Sequence, residues 1–550
     1  MKKTIVKELK ARVADLGDLC DVATGTFTLA VSTSDQRHRD EVHFFRGTSF
    51  NQAWDQVATL MASTPNTAWV RIDVPQAIQK IELSRLQQQL KKLFRMNYWR
   101  RGISFDSDFK TALLEMEING HEFIRPGKGH KIGKTASNSY LDFPAMTKYL
   151  TRRNGEQPQD LAESSFVWTF LTAGIFYDGD KIRKLSQDVH GQGIRQLTDL
   201  NTELRTTITA GEAFLCRQIK DSGQFIYGYY PARQRILSSY NSVRHFSSLY
   251  ALLEAINFTG RTADLPKVKS ALQWGIKNLV LTKGDAIFVS EPRKDGSIEL
   301  KLGGQAMLML ALCKYQEVTQ DDEYLPIIQQ AFAGITSFLK PSGQFNHVLN
   351  ADLTVKDAFR IIYYEGEITF AMARYYELVP NDQVAQLMQQ TLDFMVAHHY
   401  GKYHDHWLSY AINEALQIFP ANRDYMQMGL ENVYNHLTFI EERDTSYPTL
   451  LELLDAAIKM TDLIKRTGND DLLAPYDLGR LHRAWRYRAS YELETGSFQP
   501  ELAMYFYHPS KFVGGFFARH DHFRTRIDDC EHFLSGLLNY YSYTNQGVSL

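Results

Sequence analysis

The feature that most constrains this chain is a repeat. Short glycine-led, strand-like pieces recur along it: Gly223-Gln224-Phe225-Ile226-Tyr227, Gly284-Asp285-Ala286-Ile287-Phe288, Gly343-Gln344-Phe345-Asn346-His347, Gly401-Lys402-Tyr403-His404 and Gly515-Phe516-Phe517-Ala518. They begin about 60 residues apart, except that the last gap is about twice as long, which implies a degenerate unit near Glu442 to Thr449 and six units in all. In each unit an amphipathic helix comes first, as in Val268 to Leu279, Tyr324 to Leu339 and Val384 to Ala397. A second helix, rich in small and apolar residues, follows: Asn241 to Ala255, Gly304 to Tyr315, Gly366 to Tyr376, His406 to Gln417, Thr449 to Met460 and Asp529 to Tyr541. Ala306, Ala311, Ala371, Ala373 and Gly536 allow close helix approach, so the second helices are expected inside and the first outside. The predicted fold is mainly α: an (α/α)6 toroid of six helical hairpins over residues 160–550. An open solenoid of helix pairs is its rival.

The N-terminal residues 1–150 alternate element types instead. Thr26 to Val31, Val42 to Phe45 and Ala68 to Ile72 read as strands, and Asn51 to Met61 and Ile81 to Leu93 as helices. This smaller α+β domain is expected to act as a lid or docking unit, with Arg125 to Ser137 as a polar loop.

Charge and motifs narrow the function. Lys+Arg 61 against Asp+Glu 63 leaves a formal charge of −2, which is no footprint for nucleic acid. No stretch approaches the length of a membrane span, and the N-terminus carries no apolar run behind its lysines. Cys20, Cys216, Cys313 and Cys530 form no CxxC pair, so a cytoplasmic protein with reduced thiols is expected. Phosphate-loop, GxGxxG and HExxH motifs are missing, and no cofactor is called for.

The repeat grammar over about residues 160–545 resembles the six-hairpin (α/α)6 superfamily of carbohydrate-active proteins, which includes glycosidases, unsaturated-uronyl hydrolases, polysaccharide lyases and sugar epimerases. No single family within it is matched. The resemblance implies a saccharide substrate at one toroid mouth, against the inner-helix N-termini.

Those helix starts carry Tyr240-Asn241-Ser242-Val243-Arg244, Lys301 to Gln305, Tyr363-Tyr364-Glu365-Gly366-Glu367, His404-Asp405-His406-Trp407, Asp444 to Tyr447 (with Glu452 later) and Arg524 to His532, while the rest of each helix reads as apolar. Capping explains Asn241, Asp405 and one of Asp528 and Asp529. It does not explain Arg244, His406 or His532, since a cation at a helix N-terminus opposes the dipole. Glycosidic cleavage needs paired carboxylates, one protonated and one ionised. Glu365, Glu367, Asp405, Asp528 and Asp529 supply such pairs from opposite parts of a ring, with Arg526 as a clamp for a substrate group or a carboxylate. The expected reaction is therefore cleavage of an oligosaccharide or glycoconjugate. Two alternatives stand beside it. His406 and His532 are a candidate acid/base pair for a sugar epimerase or isomerase, as N-acylglucosamine 2-epimerases look similar in using inner-helix histidines. A non-catalytic toroid binding a glycan or protein is the other.

Arg244, Asn241, Gln305, Tyr240, Tyr363, Tyr364, Trp407 and Tyr447 are expected to bind substrate, the rings stacking on sugar faces. His398, His399, His404 and His406 cluster, as do His520 and His522, but without the Cys or third ligand that zinc sites recruit, so no metal is expected.

Overall fold

A computed structural model describes residues 2–21, 24–132, 134–188 and 193–545. It divides into two compact units, one made of residues 1–200, 229–236 and 494–525 and the other of 201–228, 237–493 and 526–550.

The second unit is the toroid. Its inner helices are Ser242–Thr259, Leu302–Thr319, Tyr364–Leu378, His406–Ile418, Thr449–Arg466 and Ile527–Asn545, called inner helices one to six. Each packs on the next in chain order, and the sixth packs back on the first, so the ring is closed. An open solenoid has no such return contact. Inner helix two is buried at every residue from Leu302 to Tyr315, as a helix enclosed on all sides must be. Outer helices bury one stripe only: Leu265–Leu279 buries Val268, Ala271, Leu272, Gly275 and Leu279, at helical spacing. It packs on inner helix one, Leu325–Ile335 on two, Asp382–Ala397 on three, and Arg423–Tyr434 on four and five. Leu200–Arg217 reaches inner helix one through Glu212, which accepts a hydrogen bond from Thr259 at 2.9 Å. Leu478–Gly496 reaches five and six through Trp485, whose Nε1 donates to Asp455 at 2.6 Å and whose ring lies 4.5 Å from that of Tyr540. Small residues bring the ring together where expected. A Cβ on Gly366 would collide with the Asp405 carboxylate and the Leu408 amide, so inner helix three approaches four only as glycine there.

The glycine-led pieces are mostly not strands. Only Ala286–Pro292 is extended along its length, paired antiparallel with Val280–Lys283. Phe225 and Phe345 each make one isolated bridge, and Tyr400–Tyr403 is a 3-10 turn. The glycine supplies a tight turn at positive φ in Gly223, Gly284 and Gly343, and the strands that lead into inner helices two and three join one five-stranded antiparallel sheet, in the order Val280–Lys283, Ala286–Pro292, Ile298–Lys301, Val348–Asn350 and Val355–Asp357.

The first unit is built on an antiparallel sheet in the order Cys20–Asp21, Thr26–Ser34, Trp69–Glu82, Phe166–Tyr177 and Gly102–Ser104, with Glu41–Gly47 and Ile182–Lys184 at its sides. One core lies under helices Lys3–Ala14 and Phe50–Ser63 (Leu9, Val13, Leu29, Trp54, Val57, Ile72), and a second under Leu83–Lys92 and Phe143–Asn154 (Leu86, Leu90, Ile103, Met146, Leu150). The unit runs past the boundary read from sequence near residues 150–160, because Phe166–Tyr177, rich in aromatic and β-branched residues, pairs along Trp69–Glu82. It also takes in residues 494–525, fastened by buried pairs: Arg195 to Glu501 at 2.9 Å, and Arg71, itself paired with Asp73 at 2.8 Å, donating to the Glu501 carbonyl. Gly515 to Ala518, read as part of the sixth repeat, therefore belongs to this unit.

Candidate functional site

The first turns of the six inner helices surround a cavity of about 340 Å³, whose walls all come from the toroid unit. Side-chain caps fix two of these helix starts. Asn241 accepts from the Arg244 amide, and Asp405 from the amides of Trp407 and Leu408. Arg244 and His406 stand in the first turn of their helices and His532 in the second, and all three line the cavity.

The imidazoles of His406 and His532, from inner helices four and six, lie on the cavity wall with ring centroids 5.3 Å apart. Glu452 of inner helix five joins them. Its Oε2 is 2.9 Å from His532 Nδ1 and 3.8 Å from His406 Nε2, and Tyr410 donates to Oε1 at 3.4 Å. His406 Nε2 is buried and makes no hydrogen bond. Burial, with the neighbouring His532 charge, holds His406 neutral well below the usual histidine range. Burial, with the charge of Glu254, pushes the Glu452 carboxyl well above the usual range. One proton shared across a 2.9 Å contact can sit on either partner. With it on Nδ1, His532 Nε2 is a base. Once Nε2 has taken up a second proton, the first can pass to Glu452, and when it returns to Nδ1 His532 gives the Nε2 hydrogen back as an acid. The donor atoms of His406, Glu452 and His532 all lie within 4.8 Å of one another, close enough also for a cation to bridge them.

Three acids share the cavity wall. Asp528 is held by two cations, Arg244 at 2.7 Å and Arg526 at 2.9 Å. Glu531 accepts from Ser247 at 2.9 Å, and burial raises it to about 8. Glu367 Oε2 has no hydrogen-bond partner, and burial plus the charges of Asp405 and Glu365 push its carboxyl well above the usual range. The other cations on this wall are already paired. Lys301 contacts Glu291 at 2.6 Å, and Arg360 donates to Glu299 at 3.0 Å. Tyr363, Tyr364, Trp407 and Asn241 complete a wall of rings and amides.

Several residues expected in the site lie elsewhere. Glu365 is fully buried outside the cavity lining and takes the His347 Nε2 hydrogen at 2.9 Å, while His347 Nδ1 accepts the amides of Arg360 and Ile361. It braces a loop. Asp405 is spent on its cap, and Asp529 accepts the Arg526 amide at 3.0 Å. Gln305 is fully buried with its amide used on backbone groups of Val289, Ile287 and Ala331. Tyr240 packs behind inner helix one, its hydroxyl 2.8 Å from His245 Nδ1. Tyr447 is exposed and outside the lining, and Arg526 reaches the cavity only through Asp528. Tyr363, expected as a stacking ring, does line the cavity, and Glu452 and Glu531 belong to the site although sequence reasoning gave them no role. Their signal was position: Glu452 and Glu531 each lie a turn inside their helix.

Comparison with known proteins adds fold likeness only. No family model matches the chain, and no curated protein does. Among solved structures it is similar to a cellobiose 2-epimerase from Bacillus thermoamylovorans, at 14% identity and TM-score 0.42 over 53% of this chain and 88% of that one. A GH76 α-mannanase from Bacteroides thetaiotaomicron is similar at 11% identity and TM-score 0.43, over 63% and 96%. A D-mannose isomerase is similar at 10% identity and TM-score 0.41, over 52% and 87%.

Proposed function

We propose that the toroid is a sugar epimerase or isomerase that moves protons on the carbon beside a sugar carbonyl. The observation that carries this reading is the His406–His532 pair on the cavity wall, with the Glu452 carboxylate behind it against both rings. One imidazole removes the proton, and its electron pair enters the enediolate. The other returns a proton to the opposite face of that carbon, giving an epimer, or to its neighbour, giving the isomer. After one turnover one ring holds an extra proton and the other lacks one. Glu452, bonded to His532 at 2.9 Å and 3.8 Å from His406 Nε2, carries the proton across when that gap closes and resets the pair. Arg244 can balance charge gathering on the substrate oxygens, and the aromatic wall suits sugar C–H faces.

A second reading, glycosidic cleavage, is favoured by the unpartnered, proton-holding Glu367 together with Asp528 paired to two arginines. The test is incubation of the full chain in D2O with D-glucose, D-mannose, D-fructose, N-acetyl-D-glucosamine, cellobiose and an α-mannan oligosaccharide, followed by NMR and mass analysis. Deuterium entering carbon with formation of an isomer supports proton transfer. A new reducing end without deuterium at carbon supports cleavage instead and overturns the first reading.

A further inference from the structure

The space inside the ring does not end at the substrate cavity. A second cavity of about 270 Å³ shares Trp407 with the first, and all six inner helices contribute to its wall. A third, about 680 Å³, shares Glu414, Lys459 and Asn539 with the second and opens among residues 462–466 and 539–543, at the C-terminal ends of inner helices five and six. The lumen wall is polar. Ser535 donates to Glu254 at 3.1 Å, and Lys459 donates to Asn539 Oδ1 at 3.3 Å. Glu452 spans two compartments: it lines the second cavity, while its Oε2 touches His532 on the wall of the first.

We propose that the toroid axis is a proton conduit, through which the Glu452–His532 pair exchanges its proton with solvent at the mouth opposite the substrate cavity. The inference rests on the proton-transfer reading above. A sugar filling the front cavity covers the face by which His532 meets water. A proton taken from substrate carbon to His532 Nε2 then has one way to solvent: the Nδ1 proton passes to Glu452, which either hands it to the other ring or releases it from its carboxyl to water in the lumen, while the electron pair stays on the enediolate. A polar cavity of this size has room for several waters at about 30 Å³ each, with charged and amide partners to hold them.

The experiment plugs the junction shared by the second and third cavities with Asn539→Phe and uses Asn539→Ala as control. Both lose the Lys459 hydrogen bond, but only phenylalanine fills the lumen. Each full-length protein converts protiated D-glucose, D-mannose, D-fructose or cellobiose in D2O, and deuterium per product molecule is read by mass spectrometry. Wild type and Asn539→Ala should deliver mostly solvent deuterium. Asn539→Phe should return mostly the substrate's own hydrogen, with wash-in lower by about threefold or more, because the exchange step has become slower than proton return. If Asn539→Phe does not fold, Ser542→Phe at the half-buried outer mouth makes the same test. Equal wash-in in all variants overturns the conduit and leaves the proton-transfer reading intact. No carbon-bound deuterium from the wild-type protein overturns both.

Discussion

Glu531 gives the sharpest physical test of the cavity. Its folded pKa is raised from 4.5 to about 8, first by burial and then by the charges of Glu452 and Asp528, with His532 and Ser247 opposing. The raised value fixes the sign. Below pH 4.5 the group is protonated in both folded and unfolded chains and costs nothing. As pH rises toward 8 the unfolded chain releases its proton and the folded one keeps it, so stability is lost steadily through that window. The slope is about 1.4 kcal/mol per pH unit. Between about pH 5.5 and about pH 7.5 wild type should therefore lose roughly 3 kcal/mol from this residue alone. Glu531→Gln keeps the shape and can still accept from Ser247, but it does not titrate. Urea unfolding of the toroid transition at several pH values measures the effect: the variant should gain on wild type by roughly 3 kcal/mol across that range. A difference between the two proteins that stays flat with pH would refute the reasoning and mean that Glu531 is ionised in a better-solvated wall than its burial implies.

Glu452→Gln should lower turnover by about a hundredfold or more, since glutamine holds His532 in place but cannot pass a proton between the rings. The accompanying pH–rate profile should lose a limb while the melting temperature changes little; retained turnover with an unchanged profile removes Glu452 from the mechanism. Gln305→Ala should cost about 2–4 kcal/mol in denaturant unfolding, because it removes three hydrogen bonds to buried backbone groups, yet leave KM unchanged. Dialysis against EDTA should leave turnover unchanged, and added Zn2+ should inhibit by bridging His406, Glu452 and His532; loss of turnover on chelation, restored by a metal, would make the triad a metal centre instead.

How far the sequence could be read depends on which physical signal each feature leaves. The ring was legible because each inner helix must satisfy burial on every side, and that demand writes small and apolar residues along the whole of 302–315. The histidines were legible because nothing in helix capping calls for them. The acids were not: Asp405, Asp529 and Glu367 are the same residue types at the same helix starts, and one caps, one accepts a neighbouring amide, and one faces the cavity without a partner. Gln305 shows the missing variable. It stands a turn from its helix start, as Arg244 does, but the helix rotates it outward to Ile287 and Ala331. Azimuth separates the two, and it can be found only by following a face along the helix. Inner helix six offers such a face at Asp528, His532, Ser535 and Asn539, five at Glu452 and Lys459, and four at Trp407, Tyr410 and Glu414. These are steps of three, four or seven residues, the spacing that keeps one stripe turned the same way. The helices were thus not apolar beyond their first turns. Their lumen stripe stays polar toward the far mouth, and that stripe links the histidine pair at one end to solvent at the other. The reading by helix starts found the chemistry's entrance, while the stripe holds what supports it, including the carboxylate that joins the two rings.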